Sequence, residues 1–334
     1  VLRFGNNLDE NLLEIQRKLR NGTMEIGPYR KHWVYVPKKR LVMALPFEHR
    51  IVQWAIYLEL NPFFDQLMIE DSYACRNGKG SLRAARRLQY WLREIQSKPG
   101  DWYVIKLDIS KFFYRVDHSI LLEILGDRIK DKRLMDLLNK IINCDGVKFG
   151  LPQYASPEDV PDEEWLGEVG MPIGNLTSQL FANIYLNELD QYCKHTLHIR
   201  KYDRYMDDVT IVIQEKQNAI QVVDKIRTFL SQRLCLDLNK KTTVRPAHIP
   251  VEYVGYIVTA RELKLRKPTV RRIKSSWHEI CRKYFAGEIT KKQLNRRIES
   301  YKGMFAPCKN EGIIKRMNEI YLFEKKKATE EDKG

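Results

Sequence analysis

Tyr205-Met206-Asp207-Asp208 sets two adjacent acids between apolar runs, Tyr202 to Tyr205 before them and Val209 to Ile213 after. Val209, Ile211 and Ile213 alternate with Thr210 and Val212, the period of a strand. The acids therefore fall at the tip of a β-hairpin. Paired carboxylates at such a tip are hard oxygen donors suited to divalent cations. The plainer reading is a polar turn, because Asp is common in turns.

A third acid lies 99 positions upstream. Tyr103 to Ile109 reads as the best strand of the chain, with Tyr103, Ile105, Leu107 and Ile109 on one face and Val104, Lys106 and Asp108 on the other. Asp108 then projects from the strand end, where ligands collect in α/β sheets. If the sheet brings Asp108 to Asp207, two carboxylates and the Ile109 carbonyl could hold two Mg2+ ions about 3.5–4 Å apart. Mn2+ is the alternative ion. Phosphoryl transfer needs chiefly such positioning and neutralisation of charge.

Gly170-Met171-Pro172-Ile173-Gly174-Asn175-Leu176-Thr177-Ser178-Gln179 opens a long helix whose buried stripe reads as Phe181, Ile184, Tyr185, Leu189 and Tyr192. Glycines before a helix start let the backbone approach a ligand, and the free N–H groups there favour anions. Upstream, Trp33 to Pro37 is strand-like and runs into Lys38-Lys39-Arg40, a basic tip fit to meet phosphate oxygens. Phe47, Ile51, Trp54 and Leu58 recur at helical spacing and read as a core face, with Pro62 closing the helix. Arg76, Gly78, Lys79 and Gly80 make a basic, flexible loop suited to a nucleic-acid backbone, ahead of a helix from Ser81 to Gln96. Residues 143–170 are loop-rich and acidic. Glu252 to Val258 reads as a strand broken by Gly255, and the chain is helical and basic from Thr269 onward.

With 334 residues, 43% hydrophobic and 30% charged, the chain is long enough for two or three substructures with a real core. No apolar run is long enough to span a membrane, and no leader pattern opens the chain. Six scattered cysteines form no CxxC pair, which argues against a zinc site or a disulfide framework and for a reducing, cytoplasmic home. The net charge of +15 is concentrated: between Arg261 and Lys327 stand 20 Lys and Arg against 7 Asp and Glu. Such asymmetry points to a polyanionic partner.

In their order along the chain, Lys106-Leu107-Asp108-Ile109-Ser110-Lys111-Phe112-Phe113, the Gly174 turn, Tyr205-Met206-Asp207-Asp208, Lys241-Thr242 and Val254-Gly255-Tyr256 resemble the palm motifs of reverse transcriptases. Val36-Pro37, Arg50 to Gln53 and Ser72 to Arg76 resemble the fingers of prokaryotic, group II intron-like members. The resemblance implies an α+β, right-hand polymerase fold, with fingers over 1–100, palm over 101–260 and thumb over 261–334; the 143–170 insert would contact the fingers. It implies an RNA-directed DNA polymerase acting on dNTPs. Asp108, Asp207, Asp208 and the Ile109 carbonyl are the metal ligands in this picture, and Tyr205 and Met206 lie at the primer. Phe113 is the gate against a ribose 2′-hydroxyl, Lys39 or Arg40 grips the triphosphate, and Lys241 serves the pyrophosphate. Gly255 and Tyr256 form the primer grip, and the basic helices hold the hybrid duplex by its phosphates and shape.

Ile173-Gly174 with Ser178-Gln179 resembles the version in reverse transcriptases of diversity-generating retroelements, where most other reverse transcriptases carry Gln at the first position and Pro at the last. That narrower resemblance implies a bacterial or phage-encoded enzyme copying a template-repeat RNA into cDNA, with errors opposite adenine. Its partner would be a small, basic, pentameric accessory variability protein. Ile173 offers apolar contact where Gln could hydrogen-bond, a loss of about 0.5–1.5 kcal/mol. A retron, group II intron or phage-defence enzyme is the alternative, and a non-catalytic nucleic-acid-binding relative is a further one. No RNase H segment is recognisable.

Overall fold

The computed structural model describes residues 2–35, 40–144, 146–308 and 311–331. The chain divides into two compact units, one of residues 1–78, 105–211 and 217–244, the other of residues 79–104, 212–216 and 245–334.

The first unit opens with α1 (Leu2–Asn6) and α2 (Leu8–Arg20), then a hairpin of β1 (Arg30–Val34) and β2 (Arg40–Ala44) in which Val34 faces Arg40. Along β2 the side chains alternate, and Leu41 and Met43 turn inward. Next comes α3 (Phe47–Leu67), which packs on a helix much later in the chain. Its buried side chains are Val52, Gln53, Ile56, Leu60 and Phe64, whereas Trp54 is 54% and Leu58 62% exposed. The expected core face is thus corrected. This helix is apolar on most of its circumference, so period alone does not select the side that meets a neighbour. Nor does Pro62 end it, since the helix continues to Leu67. A proline removes one hydrogen bond, here to the carbonyl of exposed Leu58, where water can take the acceptor's place.

The second unit begins in α4 (Ser81–Ile95), and β3 (Trp102–Asp108) leads back into the first. After β3 come α5 (Phe112–Arg115), α6 (His118–Arg128) and α7 (Lys132–Ile142). Asp117 and Asp131 cap α6 and α7, their carboxylates accepting from Ile120 N at 3.0 Å and Leu134 N at 2.9 Å. Residues 146–170 hold one short 3-10 turn, Asp162–Glu164. Their apolar side chains still build a core: Phe149, Leu151 and Trp165 cluster with Cys144 and with Leu41 and Met43 of β2. Lys31 of β1 pairs with Asp162 at 2.8 Å and stands over the Trp165 ring at 5.3 Å. The acidic insert is therefore tied to the β1–β2 hairpin.

Then follow α8 (Leu176–Gln191), a π-helical turn at Tyr192–Thr196, β4 (Tyr202–Tyr205), β5 (Asp208–Gln214) and α9 (Lys216–Leu234). Of the expected α8 stripe, Phe181, Ile184, Tyr185 and Leu189 are buried, and most of the helix is buried around them. Helices α3 and α6 pack against it. With β6 (Thr243–Pro246) the main sheet has the order β4-β5-β3-β6.

In the second unit β7 (Val251–Tyr253), β8 (Tyr256–Val258) and β9 (Leu263–Leu265) form an antiparallel sheet. The broken strand of the sequence reading is a reversal: Tyr253 faces Tyr256, and Val254 and Gly255 take φ of 43° and 92°. Two successive positive-φ residues suit the twist of a tight hairpin. The basic C-terminal region forms α10 (Lys267–Phe285), α11 (Lys291–Phe305) and α12 (Glu311–Glu331). A capping box of Thr290 and Gln293 starts α11, and Trp277 Nε1 on α10 donates to the Met317 carbonyl of α12 at 2.9 Å. No described helix is long and apolar enough to cross a membrane.

The exposed and buried faces of α3 give a direct test. Replacing Trp54 or Leu58 by Glu should change stability by about 0.5 kcal/mol or less, and Leu60→Ala should cost about 2–5 kcal/mol. Urea unfolding of the three variants measures both; equal losses would contradict the assignment of faces.

Candidate active site

Tyr205 pairs with Asp208 across the β4–β5 hairpin, so Met206 and Asp207 form a two-residue turn. Met206 sits at φ 57°, a conformation that an L side chain adopts only against strain. The strain is held from beneath. Arg204 is fully buried and forms a bidentate pair with equally buried Asp190 of α8, Nε to Oδ1 at 2.8 Å and Nη2 to Oδ2 at 2.7 Å. Its Nη1 donates to Asn183 Oδ1 at 3.0 Å and to the Met206 carbonyl at 3.3 Å, and its Nη2 reaches Ser72 Oγ at 3.3 Å. Tyr202 donates its hydroxyl to Asp190 at 2.6 Å. On the main chain, Arg204 N donates to Asp71 O at 2.9 Å and its carbonyl accepts from Tyr73 N at 2.9 Å. One guanidinium thus fastens the hairpin tip to α8 and to the segment around Ser72. The sequence reading missed it; its trace was a lone Asp next to an apolar helix stripe and a lone Arg in a short strand.

The sheet brings Asp108 to this tip. Ile109 N donates to the Asp207 carbonyl at 3.4 Å, the Asp108 carbonyl accepts from Asn239 N at 2.7 Å, and Ser110 N donates to Asp237 O at 2.8 Å. Burial pushes the Asp208 carboxyl up to about 6, against the pull of Lys106, whose Nζ lies 3.4 Å from Asp208 Oδ2. Asp207 is also raised, first by burial and further by repulsion from Asp108; its own backbone N–H, Arg40 and Arg204 oppose the rise. Asp208 Oδ1 is buried with no hydrogen-bond partner. A carboxylate oxygen withdrawn from water and left without a donor fits a hard divalent cation. Among the described residues, no group of three His, Cys, Asp or Glu side chains is placed to hold a metal ion. What the fold provides is a junction at which two acidic stretches meet through backbone hydrogen bonds, Ile109 N to the Asp207 carbonyl and Asn239 N to the Asp108 carbonyl.

Around this junction the other expected residues fall in different places. Arg40 begins β2, is exposed, and its charge acts on Asp207; Lys39 lies outside the described residues. Phe113 is half-buried, edge-on to Phe112 at 5.3 Å, and its carbonyl accepts from Met171 N at 2.6 Å. The Ile173 carbonyl accepts from Met43 N of β2 at 3.0 Å. Gly174 takes φ 113°, and a Cβ there would lie 2.8 Å from Val42, so only glycine suits the turn. Gln179 is partly exposed, but Ser178 is only 3% exposed on α8 and is not presented to a ligand. Lys241 is exposed, and its N–H donates to Asn239 Oδ1 at 3.1 Å, which links it through Asn239 to Asp108.

Two nucleic-acid contacts expected from the sequence are corrected. Arg76 has a side chain only 6% exposed; its guanidinium donates to Asp65 Oδ1 and to the carbonyls of Asp65, Ile69 and Ser72, closing the end of α3. Tyr256 is 9% exposed, and burial raises its phenol, so the ring belongs to the interior of the second unit. Lys79 and Gly255, also in the second unit, are partly exposed. Tyr205 is half-buried, which raises its phenol as well.

Residues 30–258 match the family model described as reverse transcriptase (RNA-dependent DNA polymerase). Protein YkfC of Escherichia coli is 33% identical over 70% of this chain and 67% of its own length. Group II intron-encoded protein LtrA of Lactococcus lactis is 21% identical, with 87% of this chain and 54% of LtrA aligned, so the chain spans about half that relative. Among solved structures, apo telomerase from Candida tropicalis superposes with a TM-score of 0.52 at 12% identity over 96% of this chain and 67% of that one. A form truncated from its C-terminal domain gives 0.50 at 14% identity, with 77% and 60% covered. At these identities the structures speak for the fold, which is the right-hand polymerase type with an antiparallel sheet and flanking helices.

Removing one partner of a fully buried ion pair leaves an uncompensated charge. Arg204→Met should cost about 3–5 kcal/mol, and the double variant Arg204→Met, Asp190→Leu should recover part of the loss. Denaturant unfolding decides, and a single variant within about 1 kcal/mol of the parent would sink the role given to this pair.

Proposed function

The chain belongs to the reverse transcriptase (RNA-dependent DNA polymerase) family, and from that premise we propose that it copies an RNA template into DNA by nucleotidyl transfer. The observation that carries this reading is the meeting of two distant acidic stretches, with Ile109 N on the Asp207 carbonyl and a partnerless, buried Asp208 Oδ1 beside them. Asp108, Asp207, Asp208 and the Ile109 carbonyl are the groups that would hold two Mg2+ ions. When bound, the ions supply charge neutralisation at the attacking and leaving oxygens. Lys106 keeps Asp208 oriented through its 3.4 Å contact. Arg40, exposed and electrostatically coupled to Asp207, takes the triphosphate in this reading. In the same reading Phe113, on the α5 turn that follows Asp108, excludes a 2′-hydroxyl, and Lys241 serves the leaving pyrophosphate. Fingers, palm and thumb correspond to 1–100, 101–260 and 261–334, and the basic α10 to α12 suit the phosphates of an RNA–DNA hybrid.

Within the family, Ile173 with Gln179 supports the diversity-generating type, which copies a template-repeat RNA with errors opposite adenine and works with an accessory variability protein. The Ile173 carbonyl is engaged with Met43 N and the side chain is half-buried, so a change of side chain alters contact chemistry while the turn keeps its shape. The likeness to group II intron-encoded LtrA favours the second reading in its intron form.

Primer extension on an RNA template tests the first claim. Chelation should abolish synthesis and added Mg2+ restore it, and Asp207→Asn should slow it by roughly two to three orders of magnitude. Full activity of Asp207→Asn would overturn the site. Ile173→Gln should reduce misincorporation opposite template adenine about tenfold; an unchanged error spectrum removes the diversity-generating reading and leaves the intron-like one.

A further inference from the structure

Two residues in strained, left-handed backbone face each other across the catalytic strand and the insert. Lys111, three positions after Asp108, has φ 48°; Tyr154, within the insert, has φ 66°. Lys111 Nζ donates to the carbonyl of Tyr154 at 3.1 Å, to the carbonyl of Ala155, and to Ser156 Oγ at 3.5 Å. From the other side Gln153 Nε2 donates to Asp237 Oδ2 at 2.8 Å, and the Asp237 carbonyl itself accepts from Ser110 N at 2.8 Å. The tip of the insert is therefore fastened at two points to the segments that flank Asp108. Further back, Arg115 Nη1 donates to the Leu151 carbonyl at 2.9 Å, and Leu151 lies in the apolar cluster.

All this fastening leaves the Tyr154 side chain outside. It is 79% exposed, the most exposed aromatic ring among the described residues. Gln153 Nε2 approaches its hydroxyl at 3.4 Å. An aromatic ring held at this exposure gains little from packing and presents a face that a ligand can cover. The segment that anchors Gln153 runs on into exposed Lys240 and Lys241. A presented aromatic face with cations on the segment bonded to its neighbour suits the stacking of a base whose phosphates are neutralised.

We propose that Tyr154 is a nucleobase-stacking residue at the edge of the candidate active site, held there by Lys111 and Gln153. The proposal rests on the polymerase reading for its location, but stacking itself is read by binding. The base belongs either to the incoming nucleotide or to the nucleic-acid strand, and two measurements on the full chain separate these sources. One is KM for dNTP in primer extension; the other is Kd for a fluorescent primer–RNA template duplex.

Tyr154→Ala should raise one of the two about tenfold, and Tyr154→Phe, which keeps the ring, should stay within about twofold of the parent. Tyr154→Gly, whose backbone takes this φ without strain, should show the same loss with a Tm equal to or above the parent's. Parental KM and Kd in Tyr154→Ala overturn the proposal. So does a Tm loss in both Tyr154→Ala and Tyr154→Gly, which would make the ring a loop brace, or a Phe variant as weak as Ala. If the parent chain extends no primer, the polymerase reading fails, and the duplex-binding comparison still decides whether the ring stacks.

Discussion

The buried Arg204–Asp190 pair is the constraint on which the geometry of the hairpin tip depends. A guanidinium has five N–H donors in a fixed plane, and burial is tolerable only when they are met by acceptors of matching direction. Here Asp190, Asn183, Ser72 and the Met206 carbonyl supply them. Those acceptors come from α8, from the segment after α3 and from the hairpin itself. Three stretches far apart in the chain are thereby fixed around one charge, and the strained Met206 backbone is held by a bond from below.

Above that charge, the electrostatics run the other way. Asp207 and Asp208 are desolvated, and they repel each other and Asp108, which makes the ionised forms costly. Lys106 and Arg40 offset the cost only in part. A cluster in this condition gains most from added positive charge, and a divalent cation is the densest form of it available to carboxylates. Just past the end of β3, Lys111 gives its ammonium to the insert carbonyls of Tyr154 and Ala155. Lys111 is thus used to hold a loop.

What could be read from the sequence follows from which forces are local. The alternation of Tyr103 to Ile109 and of Val209 to Ile213 marks strands because side-chain direction has period two, and both strands are present. The tip acids and Asp108 were legible because each lies at the end of such a strand. Arg76 was not: a basic residue in a glycine-bearing loop looks available for phosphate, and only the fold puts Asp65 and three carbonyls around it. Trp54 and Leu58 misled for a related reason, since an apolar helix carries no mark of which side its neighbour occupies. The fate of a charge or of an apolar face is set by a tertiary partner that local pattern does not name.

The turn at Ile173 and Gly174 shows how such a scaffold leaves room for variation at a sensitive position. Its contact with β2 runs through main-chain atoms, Met43 N to the Ile173 carbonyl. Its close approach to Val42 is permitted by the missing Cβ of Gly174. Neither constraint involves the side chain at 173. A polar or an apolar group can therefore stand there with the backbone unchanged, and the choice acts on whatever is placed against it. Had the contact run through the side chain, exchange of Ile for Gln would disturb β2, and with it Arg40, whose charge acts on Asp207. Because it does not, a change of side chain at this position is separable from assembly of the acids.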